Sequence, residues 1–199
     1  MLMGGKLVDD IYDFKVMVEG EMGKNKEIQG FNYYVDYLVY GLSDVDPYNT
    51  TAFKILGDNS FTFAPSLFIE DSSKGVFARI KYRGSGRFAI VRNPQTFSDL
   101  TEYWAKEDIE KLASRQLVLS KNQLQFYSKE KITRAEFVVM LAKALGITEE
   151  KRDWNFYDVK DEWFADDVRT AAALGLLHWG NDGYFRPDLY IPREEMAAL

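Results

Sequence analysis

The sequence predicts an α+β protein, with an N-terminal antiparallel β-rich domain followed by all-α helix-loop-helix repeats. Apolar residues alternate with polar ones in the first half of the chain, and they recur at helical spacing in the second half. The second half also matches itself when it is shifted by 59 residues, from Phe97 to Phe156. We therefore expect a sandwich-like β domain at residues 1–95, one repeat at 96–150 and a second repeat at 151–199.

The strands of the first half are predicted from a period of two. Tyr12, Phe14, Val16 and Val18 share one face, while polar residues between them point the other way. Turn-forming pairs such as Asp46-Pro47 separate the segments. The predicted strands span residues 12–18, 31–39, 52–56, 60–63, 76–82 and 87–91. Because no helical pattern interrupts them, they favour a small antiparallel sandwich or sheet.

The internal repeat joins Phe97–Met140 to Phe156–Leu199 without a gap. Identical residues recur along its whole length. Those of the first copy are Phe97, Asp99, Trp104, Asp108, Ala113, Leu117, Asn122, Phe126, Ile132, Arg134 and Glu136. Because one unit of a repeat protein is usually too small to bury its apolar face alone, we expect the copies to pack together.

Each copy is predicted to be a helix, a long loop and a second helix. In the first copy, Ile109 and Ala113 lie on one apolar stripe of the first helix. A capping box opens the second helix, because Thr133 can accept from the Glu136 amide while Glu136 reaches back. Gly146 is the predicted C-terminal cap of that helix.

Three segments of this half closely resemble the S-layer homology repeat of bacterial cell-surface proteins. Phe156-Tyr157-Asp158-Val159, followed by Trp163, is similar to the opening of that repeat. Residues 180–187 are similar to its central loop, and residues 132–137 (Ile-Thr-Arg-Ala-Glu-Phe) to the start of its second helix. The two copies cover about half of the sequence.

The resemblance implies an anchoring role. Such repeats hold exported proteins on the Gram-positive envelope by binding secondary cell-wall polysaccharide, whose sugars are often pyruvylated and so carry a carboxylate. An extracellular location at the cell wall or S-layer is implied as well. Three repeats commonly form a prism with ligand grooves between neighbours, so a third repeat or a second copy of the chain is an expected partner. We expect the second repeat to be truncated at Leu199.

The copies depart from the family pattern at different places. The first has Lys121-Asn122-Gln123-Leu124 where the second has Gly180-Asn181-Asp182-Gly183. Its loop therefore lacks the glycines of a tight turn, and we expect its groove to be degenerate. The second copy has Pro192 in place of the threonine, which suits a helix start but removes a hydroxyl.

Arg134 and Arg193 are the main candidates for binding a glycan carboxylate. A guanidinium fits a carboxylate bidentately, and each arginine lies at a helix start whose free amides favour anions. The alternative is that each arginine only pairs with a carboxylate of the chain, such as Glu136 or Glu195. All four residues are kept in the candidate glycan site.

Trp104 and Trp163 are candidates for stacking on a sugar ring, with burial in the core as the alternative. Asp182 is a candidate partner of a sugar hydroxyl, and an Asx-turn explains it equally well. Asp99 and Asp158 are interpreted as loop or helix caps.

Several classes of function are not expected. The formal net charge is −6 and no basic face stands out, so nucleic acid is not an expected partner. No apolar run reaches the ~18 residues of a membrane span. The chain has no cysteine, and His178 has no second histidine to complete a metal site, so its role is interpreted as structural. No catalytic or cofactor motif is present, and we predict a chain that is not an enzyme and uses no cofactor or metal.

The leading hypothesis is therefore a non-catalytic wall-anchoring module. Two alternatives remain open. The repeats could mainly promote self-assembly through exposed apolar helix faces, or they could serve a surface glycan-degrading enzyme as an accessory module.

Overall fold

A computed structural model describes residues 5–20, 24–31, 33–43, 45–147, 156–177 and 182–199. The chain divides into two compact units. The first comprises Met1–Phe97 and Thr101–Gln116, and the second comprises Ser98–Leu100 and Leu117–Leu199. The chain therefore passes into the second unit after Phe97, returns to the first unit at Thr101, and passes into the second unit again after Gln116.

The described residues of the first unit form ten strands, all of whose pairings are antiparallel. They are β1 (Lys6–Leu7), β2 (Tyr12–Phe14), β3 (Met17–Glu19), β4 (Asn25–Glu27), β5 (Val35–Leu42), β6 (Thr50–Ile55), β7 (Phe61–Ala64), β8 (Ser66–Asp71), β9 (Gly75–Tyr82) and β10 (Gly86–Arg92). A five-stranded sheet contains β1, β2, β10, β6 and β7. A three-stranded sheet has the order β5-β9-β8, and β3 pairs with β4.

The two larger sheets enclose a common apolar core. Phe88 and Ile90 come from the five-stranded sheet, and Phe68, Ala78 and Ile80 come from the three-stranded sheet. These residues alternate along their strands with outward-facing ones, as the period of two requires. The predicted β-rich N-terminal region is therefore confirmed.

Strands β1, β4 and β8 lie outside the predicted segments, and two predicted strands differ from the observed ones by more than two residues. The segment predicted at 12–18 divides into β2 and β3, which belong to different sheets. At the break, the Val16 amide donates to Ser85 Oγ at 3.0 Å rather than to a strand neighbour. The strand predicted at 31–39 begins later and runs from Val35 to Leu42.

The first unit also contains helix α1 (Lys106–Ser114), although the repeat pattern assigns this helix to the second half of the chain. Hydrogen bonds hold its C-terminal end. Asn93 Nδ2 donates to the Ser114 carbonyl at 3.1 Å, and the Arg115 guanidinium donates to the Pro47 carbonyl at 2.6 Å. Asn93 is buried, so its hydrogen bond is shielded from water.

The predicted all-α fold of residues 96–199 is wrong. The described part of this region holds a short 3-10 helix (Ser98–Leu100), α1 and three further α-helices, α2 (Arg134–Leu145), α3 (Ala165–Ala173) and α4 (Arg193–Ala197). The four α-helices have 9, 12, 9 and 5 residues, and the described residues between them form turns and loops. An antiparallel β-bridge also joins Thr133 to Tyr190.

Side chains hold the long connections out of helical conformation. Asp99 accepts hydrogen bonds from the amides of Phe126 and Tyr127 at 3.0 and 2.8 Å. Tyr127 has a φ of 61°, in the left-handed region that a helix does not use. Such local bonds compete with helix formation, which periodicity alone does not reveal.

The second unit is organised around α2 and α3. Its core includes Val138 and Val139 from α2, Val168 from α3, and Phe156 and Phe185 from the loops. Helices from different repeats therefore share one core, which confirms that the copies pack together.

Candidate functional site

The two repeats meet along a seam, which we define as residues 132–136 and 185–195. The Arg134 amide donates to the Leu189 carbonyl at 2.8 Å, and the Ile191 amide donates to the Ile132 carbonyl at 3.2 Å. Together with the Thr133–Tyr190 bridge, these bonds fix the start of α2 against the segment that precedes α4.

The start of α2 is also capped within its own repeat. Thr133 Oγ1 accepts from the Glu136 amide at 3.2 Å, and Glu136 Oε2 accepts from the Thr133 amide at 2.9 Å. At the other end, Gly146 has a φ of 68° and terminates the helix. The predicted capping box and glycine cap are confirmed.

Arg134 is engaged by a carboxylate of the other repeat. Its Nε and Nη2 donate to Glu195 Oε2 and Oε1 at 2.9 and 2.6 Å, and Nη1 donates to the Phe185 carbonyl at 3.3 Å. The side chains of Arg134 and Glu195 are 11% and 25% exposed. The alternative that the arginine pairs with a carboxylate of the chain therefore holds for Arg134, whose partner is Glu195 across the seam.

Glu136 is engaged by Lys121, whose Nζ lies 2.6 Å from Oε1. Burial opposes ionisation of Glu136, but hydrogen bonds from Lys121 and the Thr133 amide outweigh it and lower the pKa of this carboxyl. The hydrogen bond that Lys121 donates to Glu136 also raises the pKa of Lys121. The pair is ionised at neutral pH.

Arg193 has a different environment from Arg134, although the two residues correspond in the repeats. It is exposed at the first position of α4, and Pro192 before it provides no side-chain cap. Among the described residues, no ion pair to its guanidinium is found. Its five donors are therefore open to an external acceptor.

Trp104 and Trp163 are both solvent-exposed, at 87% and 57%. Trp104 lies in the first unit, tilted against Tyr103 with ring centroids 5.9 Å apart. Trp163 lies in the second unit and contacts the edge of buried Phe164, with centroids 5.4 Å apart. The alternative of core packing is wrong for both tryptophans.

Asp182 holds its own loop. It accepts from the Tyr184 amide at 3.2 Å in an Asx-turn and forms an ion pair with Arg186. The hydrogen bond from Arg186 is the main reason why the pKa of Asp182 is lowered. The Asx-turn interpretation is therefore confirmed, while Gly180, Asn181 and His178 lie outside the described residues.

Asp158 has the same function as Asp99 at the corresponding position of the second repeat. It accepts from the amides of Phe185 and Arg186 at 2.8 and 2.6 Å. Both aspartates are therefore loop caps, as the sequence indicated. In the first repeat Asn122 adds an Asx-turn, accepting from the Leu124 amide at 2.9 Å, so this loop turns without glycine.

Two residues beside or within the seam, Lys131 and Tyr190, were not predicted from the sequence. Lys131 Nζ lies 5.5 Å from the ring centroid of Tyr190, which is exposed. These residues occupy corresponding positions of the two repeats, so a search for identical residues passes over them. A comparison of residue types that differ between the copies would have found them, because the first copy has a cation where the second has an aromatic ring.

Two kinds of feature, a metal site and a membrane-spanning helix, are not found among the described residues. These residues contain no cluster of three or more histidine or acidic side chains arranged to hold a metal ion. Their helices lack the combination of length and hydropathy that crossing a membrane requires.

Comparison with known proteins identifies the repeats. Residues 96–138 and 155–197 match the S-layer homology domain. The chain is 37% identical over 111 residues to the exoglucanase XynX of Acetivibrio thermocellus, and 36% identical over 114 residues to an amylopullulanase of Thermoanaerobacterium thermosulfurigenes. It is 37% identical over 79 residues to a cellulosome-anchoring protein of Acetivibrio thermocellus.

These matches cover 55%, 57% and 37% of this chain, but only 10%, 6% and 18% of the three relatives. The shared region is thus a small part of each relative. Residues 96–138 and 155–197 of this chain are therefore similar to two S-layer homology domains, and the chain is an extracellular protein associated with the cell wall.

Proposed function

We propose that this chain is a non-catalytic anchoring module whose S-layer homology domains bind secondary cell-wall polysaccharide that carries pyruvylated sugars. The observation that carries the proposal is the exposed guanidinium of Arg193 at the edge of the seam. A pyruvyl group presents a carboxylate, and a guanidinium binds a carboxylate through two parallel hydrogen bonds.

The two arginines have different roles in this proposal. The Nε and Nη2 donors of Arg134 already bond to Glu195. Arg134 therefore positions the second repeat and does not contact the glycan. Arg193 binds the pyruvyl carboxylate. Glu136 and Glu195 support the seam through Lys121 and Arg134 respectively.

Exposed rings supply the contacts to sugar faces. Trp163 and Trp104 each present an indole to solvent, where it can cover the axial C–H groups of a pyranose and exclude water. Tyr190, with Lys131 beside it, provides an aromatic and cationic contact at the seam itself. Asp182 orders the loop and offers its remaining acceptor capacity to a sugar hydroxyl.

The names of the relatives support anchoring over catalysis by these residues. One relative is named for cellulosome anchoring, and the glycan-degrading relatives share only a small part of their length with this chain. We propose that the module serves a surface protein in this way, including as an accessory to a glycan-degrading enzyme.

Retention on purified pyruvylated wall glycan tests the proposal. We expect the chain to be retained, and to be retained less on the same glycan after chemical removal of pyruvate. Arg193→Ala should weaken binding more than Arg193→Lys, which keeps the charge but loses the paired donors. Arg92→Ala, an exposed arginine of β10, is the control for loss of one positive charge.

Two results would contradict the mechanism. Equal retention on glycan with and without pyruvate would remove the carboxylate as the recognised group. A stronger effect of Arg134→Ala than of Arg193→Ala, in a folded protein, would reverse the roles given to the two arginines.

We infer self-assembly as a second candidate function, because the seam joins unlike positions of the two repeats. Ile132–Ala135 of the first repeat pairs with residues 187–191 of the second. The segment of the second repeat that corresponds to Ile132–Ala135 contains the exposed Arg193, so a third repeat or a second copy could pair there in the same way. Light scattering over a concentration series tests this, and a concentration-independent monomer that still binds glycan would argue against it.

A further inference from the structure

The three-stranded sheet of the first unit has a second face, opposite the core. Register places Arg79 of β9 between Leu38 of β5 and Leu67 of β8. Tyr40 stacks on Phe77 of β9, with ring centroids 5.2 Å apart and planes 30° apart. We call the surface formed by Leu38, Tyr40, Leu67, Phe77, Arg79 and Lys81 the outer face.

The outer face is open to solvent, whereas the corresponding face of the five-stranded sheet is not. Phe53, Ile55, Ala89 and Val91 of that sheet form a buried cluster. On the outer face, Tyr40 and Leu67 are 48% and 46% exposed. An apolar surface left uncovered on only one side of a sandwich indicates a binding surface.

The charges of the outer face are mostly positive. Arg79 lies at its centre, Lys81 follows two residues later, and Lys74 Nζ lies 5.1 Å from the Tyr40 ring centroid. Asp36, opposite Lys81, and Asp71, at the end of β8, are carboxylates that the register places on this face, so the three cations outnumber them by one. In a chain whose formal net charge is −6, such a cluster favours an anionic partner.

We propose that the outer face binds an acidic polysaccharide, and that it is a second glycan-binding surface independent of the S-layer homology domains. Tyr40 and the leucines cover the C–H faces of the sugars, while Arg79, Lys81 and Lys74 pair with their carboxylates. The surface is a sheet face rather than a cleft, so it suits an extended chain. A second copy of this protein fits less well, because two outer faces meeting about a twofold axis would bring their cations together.

Affinity electrophoresis of the full chain in polygalacturonate tests the proposal, with methyl-esterified polygalacturonate as the uncharged counterpart. We expect the acidic polymer to retard the protein and the esterified polymer to retard it much less. Arg79→Glu/Lys81→Glu should weaken binding at least ten-fold, and Tyr40→Ala should weaken it several-fold. Arg87→Glu/Arg92→Glu on β10 makes the same change of charge on the other sheet and should have little effect.

Each variant must have the same melting temperature as the parent chain for its binding to be compared. If charge reversal prevents folding, Arg79→Gln/Lys81→Gln replaces the glutamate variant. Arg193→Ala separates this proposal from the proposed function, because it should leave polygalacturonate binding unchanged. Loss of binding in Arg193→Ala but not in the outer-face variants would overturn the proposal. So would equal binding of both polymers, or a concentration-dependent dimer that Leu38→Asp abolishes.

Discussion

Arg134 and Glu195 form a bidentate ion pair across the seam, between residues that are 61 positions apart. Arg134 corresponds to Arg193 in the repeats, and Glu195 corresponds to Glu136, so the pair joins two unlike positions. The first repeat therefore supplies the cation of this contact, and the second repeat supplies the carboxylate. Such a contact is heterologous and has a direction.

Removal of Arg134 should destabilise the second unit. Arg134→Ala leaves the Glu195 carboxylate partly buried without its partner, and we expect a loss of about 2 kcal/mol in the free energy of unfolding. Urea denaturation measures the loss. Arg193→Ala, the corresponding exposed residue, should change the free energy by less than about 0.5 kcal/mol. A double-mutant cycle with Glu195→Ala that gives no coupling energy would contradict the ion pair.

Asp158→Ala should loosen the loop of the second repeat. The amides of Phe185 and Arg186 would lose their acceptor, and Phe185 is fully buried. We expect the free energy of unfolding to fall by about 1–2 kcal/mol. Thermal denaturation followed by near-ultraviolet circular dichroism measures this, with the exposed Asp161→Ala as the control. Equal melting temperatures for the two variants would show that Asp158 does not hold the loop.

The Glu136–Lys121 pair should make stability depend on pH in the acidic range. The folded-state pKa of Glu136 lies below its ordinary value of 4.5. Its ionised form therefore stabilises the folded chain above pH 4.5, and this contribution is lost as the pH falls through the lowered pKa. The difference in unfolding free energy between the parent and Glu136→Gln should be largest at pH 7 and shrink towards pH 3. A difference for Glu136→Gln that stays constant over this range would contradict the pairing.

Substitution of Trp163 should affect glycan binding and not folding. The indole is exposed, so Trp163→Ala removes little packing, while the loss of a stacked sugar ring costs about 1 kcal/mol, or roughly five-fold in affinity. Calorimetric titration with wall glycan measures the affinity. Phe164→Ala is the contrasting variant, because this buried residue should cost about 3–5 kcal/mol of stability. Unchanged affinity in Trp163→Ala would remove the tryptophan from the binding site.

Local patterns in the sequence predicted local structure well. Thr133 and Glu136 form the predicted capping box, and β9 and β10 lie within one residue of the strands predicted from alternation. These features depend on residues close in the chain, or on one period read along one segment. The repeat likewise predicted that helices of both copies share a core.

Features that depend on distant residues were not predictable in the same way. The arginine of a hallmark segment has a carboxylate two residues away, Glu136, yet Arg134 pairs with Glu195 of the other repeat. Helical periodicity shows that α1 has an apolar side but not which surface covers it, so its place in the first unit was missed. The all-α expectation failed because Asp99 and Asp158 bind loop amides far along the chain.

The attachment of α1 has a mechanical consequence if the chain anchors a protein at the wall as proposed. Tension that enters through residues 117–199 passes Gln116 and reaches the end of α1 next. There the Asn93 side chain donates a hydrogen bond to the Ser114 carbonyl, and the Arg115 guanidinium donates one to the Pro47 carbonyl. Tension along this route therefore loads the hydrogen bonds of α1 before it reaches the strands.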